Sequence, residues 1–407
     1  MHLHNMSSTE SSNELNVENS PFLLDDDESL NNNQNHSQPN NLVSKKNTYI
    51  CYGIFSLIVV TVFSILIITN PFKTSPSKRN VHQNIKVTGR HVIDPNTNTI
   101  HFDHPGIKLE ALINGTTKLN VIMSKVGPKL VFFHIYCNNM FIREINTSNW
   151  QQSTPVKILN VCNDDSELHK NPKHQKLNYK ATYDVLIVKE TEAQFSATKV
   201  VENYVTFHGF EGDDTMQVSL PKILTKKRRK IEFLGDSITA GFCNMCKVEP
   251  NVCGPDPDHG ITCEAQQHFS SGWANLICEH FQADCHIEAW SGFGMYENCC
   301  GGETIMPDIY ERTLATIPSA NPNDPHGTIK DNLWNFKSWI PDIVVINLGT
   351  NDRLNQRPEN IHKYNETYLN LVLKASKLYG SNTHFFLGCG PMSTAYCNEV
   401  NWVIRTV

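Results

Sequence analysis

Residues 231–242 read IEFLGDSITAGF, a short apolar run that breaks into Gly235, Asp236 and Ser237 before small residues that can open a helix. Taken alone, this is a turn, because serine and aspartate side chains bond the local backbone after a strand. The segments that follow give it a setting. HFSSGWANLICEHFQ (268–282) reads as an amphipathic helix, CHIEAW (285–290) as a strand, IVVINLG (343–349) as a strand, PENIHKYNETYLNLVLKASKLYG (358–380) as a long helix and HFFLGCG (384–390) as a further strand. Buried apolar strands separated by helices predict a parallel, doubly wound α/β sheet covered on both faces. In such sheets ligands sit at the carboxyl ends of the strands.

Three strand ends then carry glycine and polar residues: Gly235, Asp236 and Ser237 after the first strand, Ser291, Gly292 and Gly294 after the second, Gly349, Asn351 and Asp352 after the third. One such turn is ordinary; three on one rim predict a site. A serine hydroxyl attacks an ester only when a base takes its proton, and the tetrahedral oxyanion needs preorganised donors. The backbone N–H groups of Ser237 and Gly292 and the side-chain amide of Asn351 are the candidate donors. Asp236 and Asp352 are expected to fix the turns by accepting backbone N–H groups.

The remaining 230 residues divide by composition. Residues 1–48 are rich in Asn, Ser and acidic residues and predict a disordered tail. Residues 49–69, YICYGIFSLIVVTVFSILIIT, carry no charge over a length that spans a bilayer core, and predict a single transmembrane signal anchor. Residues 70–84 read as a stalk. From 85 to 222 come short apolar or alternating runs (TIHFDH, KLEALI, KLNVIM, KLVFFHIYC, YDVLIVKE, NYVTFHGF) without a helical stretch, which predict a β-sandwich or jelly roll. TKKRRK (225–230) is read as a solvated linker, and the α/β domain occupies 223–407.

A net charge of −6 offers no basic surface, so nucleic acid is disfavoured as a partner. Lys45 and Lys46 precede the apolar span while Lys73, Lys78, Arg79 and Lys86 follow it, which leans toward a cytosolic C-terminal part. Against that stand twelve of the thirteen cysteines, all after the span, and sequons at Asn114, Asn146 and Asn365. The expectation is a single-pass membrane protein with lumenal or extracellular C-terminal domains. Cys243, Cys246, Cys253, Cys263, His259 and His268 could make a zinc knuckle, but disulfides are favoured, with pairing not readable from spacing. No metal or cofactor is expected, and oligomeric state is open. Of Trp273, Trp290, Trp334 and Trp339, Trp290 is the best candidate to stack on a sugar, although aromatics at such spacing are more often core.

GDSI (235–238), the glycine of SGFG (291–294) and GTND (349–352) resemble the first sequence blocks of the SGNH (GDSL-type) hydrolases. More narrowly, IEFLGDSITAGF, SGFGMYEN with TIMPDIYERT, IVVINLGTND and GCGPM resemble carbohydrate esterase family 2, acetylxylan esterase-like enzymes with a jelly roll before an SGNH domain. VTGRHV, HFDHPGIKLEALINGTTKLNV and VLIVKETEAQFS look like that jelly roll. The resemblance covers about Lys86 to the end. It implies Ser237 as nucleophile, an oxyanion hole of Ser237, Gly292 and Asn351 with Gly294 the alternative second member, and an acetylated oligo- or polysaccharide as substrate.

The resemblance departs at one point. The family's catalytic histidine lies in a late D-x-x-H block, and no histidine follows His384 here. The hydrolase domain is therefore expected to be C-terminally incomplete, with a degenerate, carbohydrate-binding protein as the alternative, His259 or His268 as a substitute base the third choice, and a lipid-directed esterase the weaker alternative activity.

Overall fold

The computed structural model describes residues 84–162, 182–193, 200–221, 228–245, 263, 265–318, 332–352 and 358–407. The single-pass membrane expectation is corrected: among the described residues no helix is long and apolar enough to cross a membrane. The longest helix, Pro358–Tyr379, shows why, since it interleaves Glu359, His362, Lys363, Glu366, Lys374 and Lys377 with its apolar positions, a charge density that hydrocarbon does not accept. The tail, the apolar span at 49–69 and all but one residue of the stalk lie outside the described residues. The lumenal or extracellular placement built on the span is withdrawn with it.

The N-terminal half is made of β1 (Lys86–Thr88), β2 (Val92–Ile93), β3 (Ile100–Phe102), β4 (Lys108–Asn114), β5 (Asn120–Val126), β6 (Phe132–Cys137), β7 (Met140–Asn146), β8 (Val156–Ile158), β9 (Thr182–Lys189), β10 (Tyr204–Glu211) and β11 (Gln217–Ser219). They form two antiparallel sheets, one in the order β1-β4-β9-β6-β7 with β11 also on β4, the other β2-β3-β10-β5-β8. Strand β4 shows the cause: in KLEALIN every second residue, Leu109, Ala111 and Ile113, is buried. These join Val121, Met123, Phe133, Ile135, Val185, Ile187, Val205 and Phe207 in one core fed by both sheets, each such side chain contributing about 1.5–3 kcal/mol of burial.

Strand β9 changes from alternating to continuous burial along its length. Its Val185 and Ile187 enter the sandwich core. Val188, with Leu186 beside it, instead packs with Phe233, Phe269, Ala274 and Ile287 of the α/β half. A strand covered on both faces loses its period of two.

The α/β half holds four strands, β12 (Lys230–Gly235), β13 (Asp284–Ala289), β14 (Ile343–Asn347) and β15 (His384–Gly388), and the helices α1 (Ser237–Ala240), α2 (Trp273–His280), α3 (Met306–Tyr310), α4 (Pro358–Tyr379) and α5 (Cys397–Thr406). The sheet is all parallel in the order β13-β12-β14-β15. Helix α2 packs with Ile231, Phe233 and Ile287 on one face. Helices α3, α4 and α5 pack with Leu234, Val344 and Ile346 on the other. The helix expected over 268–282 is shorter, because Gly272 is extended and separates a 3-10 turn at Phe269–Ser271 from α2. Strand β15 is an edge, with Phe386 58% exposed.

The two halves meet across buried polar groups. Arg90, 0% exposed, binds Glu232 Oε1 at 3.0 Å, Glu288 Oε1 at 2.8 Å and the carbonyls of Tyr310 and Arg312. Asp103 accepts the N–H groups of Ala315 and Thr316. Disulfides link Cys137–Cys162, Cys243–Cys263, Cys278–Cys285, Cys299–Cys300 and Cys389–Cys397. Cys246 and Cys253 lie outside the described residues.

Candidate active site

The parallel register aligns Gly235 with Ala289 and with Asn347, so three strands finish level and their polar ends share one rim. Gly235 has to be glycine, since an added Cβ would stand 2.1 Å from Thr239 Oγ1. That close approach lets the chain turn at once into α1. Asp236 caps the helix by accepting the N–H of Ile238 at 2.9 Å, and its carbonyl takes the N–H groups of Thr239 and Ala240. Ser237, the first helical residue, is half-buried.

The loop after β13 is pinned almost residue by residue. Trp290 N–H donates to Gly235 O, Ser291 N–H to Glu192 Oε2, Phe293 N–H to Trp290 O and Gly294 N–H to Asn298 Oδ1 at 3.0 Å. The next three, of Met295, Tyr296 and Glu297, all converge on the Asp352 carboxylate at 2.8, 2.6 and 2.8 Å. Gly292, at φ 82°, is the exception: its N–H has no acceptor among the described residues. The N–H of Ser237 is unclaimed in the same sense. Asn351, 8% exposed, donates one amide hydrogen to Phe293 O at 2.8 Å, and an amide has a second to give.

Among the candidate oxyanion donors, Gly294 is therefore disfavoured against Gly292. Its N–H is occupied, and its lack of a side chain serves packing, because a Cβ there would meet Glu297 O at 1.9 Å and Asp352 Oδ2 at 2.6 Å. Asp236 and Asp352 are buried among these turns. Burial pushes the Asp236 carboxyl up to about 7, the Asp352 charge adding in the same direction and the Ile238 N–H opposing. Burial also raises Asp352 to about 6, outweighing the three N–H groups that favour its charged form.

No described residue hydrogen-bonds the Ser237 hydroxyl. His384 begins β15 opposite Ile343, at the far edge of the sheet from the rim. His268 is occupied with His134 and Ser271, and His286 is buried and stacked 3.6 Å from Trp339. His259 lies outside the described residues.

Trp290 is corrected as a sugar platform: it is 1% exposed and stacked on Phe293 at 4.4 Å, because the turn after β13 folds its ring into the core with Phe293 and Met295. Of the sequon asparagines, Asn146 is exposed, while Asn114 and Asn365 are half-buried. Two contributors were missed in the sequence, Glu192 and Asn298, which hold the N–H groups on either side of Gly292. Glu192 comes from the sandwich, 99 residues from its partner, and a lone glutamate in TEAQ carries no local signal.

A family model described as GDSL-like Lipase/Acylhydrolase matches residues 231–402. A cellulase/esterase of Acetivibrio thermocellus is 30% identical over 212 residues, 52% of this chain and 22% of that protein. An acetylxylan esterase / glucomannan deacetylase of Cellvibrio japonicus is 32% identical over 173 residues, 42% of this chain and 43% of that protein. The chain thus spans less than half the length of these curated relatives. Among solved structures, a family two carbohydrate esterase from Clostridium thermocellum in complex with cellohexaose matches with a TM-score of 0.58 at 22% identity, covering 79% of this chain and 84% of that one. At that identity the likeness is one of fold.

Proposed function

We propose, on the match of residues 231–402 to the GDSL-like Lipase/Acylhydrolase family model, that the protein is a carbohydrate esterase that removes O-acetyl groups through an acyl-enzyme on Ser237. We assign the sandwich to 85–222 and the hydrolase domain to 223–407. The observation that carries the reading is the pair of unclaimed N–H groups, of Ser237 and Gly292, in turns where the neighbouring N–H groups have acceptors. Both lie at half-buried positions on one rim, where a substrate can reach them, and with the Asn351 amide they make a place for an oxyanion.

In the proposed reaction Ser237 Oγ attacks the acetyl carbonyl carbon, and the carbonyl electron pair moves onto oxygen. The two N–H groups and the Asn351 amide hold the resulting oxyanion. Collapse expels the sugar oxygen, which leaves as the alcohol with the proton that the Ser237 hydroxyl gave up to solvent, and water then attacks the acetyl-serine, releasing acetate and returning the proton to Ser237 Oγ. The names of the sequence relatives support an acetylated plant-type polysaccharide as substrate. Asp236 and Asp352 hold the donors in place in this scheme and do not act as the base.

One observation favours a second reading. No described histidine bonds Ser237, and a serine site lacking one triad member keeps only about 10³–10⁴ over water, so a carbohydrate-binding protein without turnover is the alternative. A fluorophosphonate probe separates the two. Labelling of the chain that is lost in Ser237→Ala, together with acetate release from acetylated xylan or glucomannan, supports the esterase; binding of the same glycans without labelling or acetate release supports the alternative.

A further inference from the structure

The geometry points to a binding site for a divalent transition-metal ion of the zinc class at the junction of the sandwich and the hydrolase domain, held by His134, Glu190 and His268. Each residue presents a ligand atom within 4.8 Å of those of the other two. His134 stands on β6, Glu190 directly follows β9, and His268 precedes the 3-10 turn before α2. The inference is independent of the chemistry at Ser237.

The distances suit a shared ion. With His134 Nε2 turned to Glu144, the ring offers Nδ1, 3.2 Å from Glu190 Oε1, and His268 Nδ1 lies 3.9 Å from Glu190 Oε2. Two ligands bound at 2.0–2.1 Å in a tetrahedral site stand about 3.3–3.4 Å apart. The hydrogen bonding is incomplete without a cation. His134, its side chain 7% exposed, has a buried Nδ1 that makes no hydrogen bond despite its nearness to Glu190. Two neutral rings hold two protons between them. Here their four nitrogens face Glu144 at 3.1 Å, Glu190, Ser271 at 2.9 Å and each other.

The surrounding groups orient the ligands. Glu190, 1% exposed at its side chain, accepts the N–H of Ser270 at 2.8 Å and its hydroxyl at 2.6 Å. Glu144 on β7 is placed to take a proton from His134 Nε2, and such outer carboxylates fix ring orientation in metal sites. Lys108 and Lys189 are the ammonium groups that act on Glu190. Neither donates to it, since Lys108 binds Asn275 and Lys189 binds the carbonyls of Thr191 and Glu192. Two imidazoles and one carboxylate favour zinc, or cobalt in its place, over magnesium or calcium.

An ion here would act as a clasp. His268 N–H donates to Gly241 O, and Asn244 bonds the His268 backbone in both directions. Gly241 is the C-cap of the helix that begins at Ser237. The site therefore ties both sandwich strands to the loop that ends the nucleophile helix.

The test uses the full chain with its disulfides intact, stripped by chelator and reloaded with zinc or cobalt. About one equivalent of tightly held metal is expected, with the visible d–d bands of four-coordinate cobalt and a rise in Tm on zinc addition. His268→Gln, whose ring is partly exposed, should lose the equivalent, the bands and the Tm rise together, and Glu144→Gln should weaken binding about 10- to 100-fold. The inference is overturned if the unsubstituted chain takes up no stoichiometric metal, or if His268→Gln retains it. Neither arm depends on the more buried His134 tolerating change. A Tm that follows pH but not zinc also overturns it, and would assign the cluster to a shared proton.

Discussion

Gly292 and Gly294 stand two residues apart, and hydrogen bonding rather than spacing separates their roles. The N–H of Gly294 is spent on Asn298, and that of Gly292 is not. If the proposed oxyanion site is right, Asn351→Ala should slow acetate release and phosphonate labelling of Ser237 by about 10²–10³ with little change in KM. The effect would be misassigned if KM alone moved. Asp236 gives a prediction in pH. Its folded value, about 7, lies above the ordinary 3.8, so the folded chain keeps a proton that the unfolded chain has released. The stability this contributes is full below the unfolded value and is lost as pH rises through about 7. Asparagine also caps helices and does not titrate. Urea unfolding at pH 5 and pH 8 should therefore show the wild type losing stability relative to Asp236→Asn as pH rises, and a parallel pair of curves would refute the assignment.

At the level of elements, the rim is a loop held from three directions. Asp352, after β14, gathers the N–H groups of residues 295–297. Asn298 holds Gly294 from within the loop, and Glu192 reaches across from the sandwich to Ser291. Glu192 is 3% exposed, and a buried hydrogen bond to a charged group is worth about 1.5–3 kcal/mol. Glu192→Ala should lower unfolding stability by about that amount, read as a shift of the urea midpoint, while Glu192→Gln, which keeps an acceptor, should lower it less. Equal effects of the two substitutions would mean that the side chain matters through packing and not through Ser291.

For the whole described unit, the joint between the sandwich and the α/β half is built on buried charge. Arg90 is buried between Glu232 and Glu288, and the rings of Tyr310 and Trp334 lie 5.0 Å from its guanidinium carbon. Burial holds the Glu288 carboxyl well above the ordinary range, against the pull of Arg90. Arg90→Met strands the carboxylates and should cost about 3–5 kcal/mol. Adding Glu288→Gln should recover part of that loss, because it removes a carboxyl that the interior can no longer pair with a cation. No recovery in denaturant unfolding would place the cost in lost packing around Trp334 and Phe336.

The order of strands and helices in the α/β half, and Ser237, Gly292 and Asn351 as candidates, were legible because each follows from local pattern: apolar runs of strand length, helical periodicity, and glycine with polar residues at strand ends. The sandwich was legible for the same reason, through alternation such as KLEALIN. Trp290 was not, since an aromatic beside a glycine turn looks the same in sequence whether it faces a cleft or a core; only the stacking on Phe293 and its burial decide. Glu192, Arg90 and the cluster of His134, Glu190 and His268 were silent because their partners lie up to 222 residues away. Hydrogen bonds and charge pairs depend on distance in space, and a chain encodes that distance only through the packing of its strands. Sequence by itself determined which residues could do chemistry and that they end parallel strands. The tertiary structure alone decided that the Gly294 N–H is spent on Asn298 while that of Gly292 has no acceptor among the described residues, because only folding brings a donor to its acceptor.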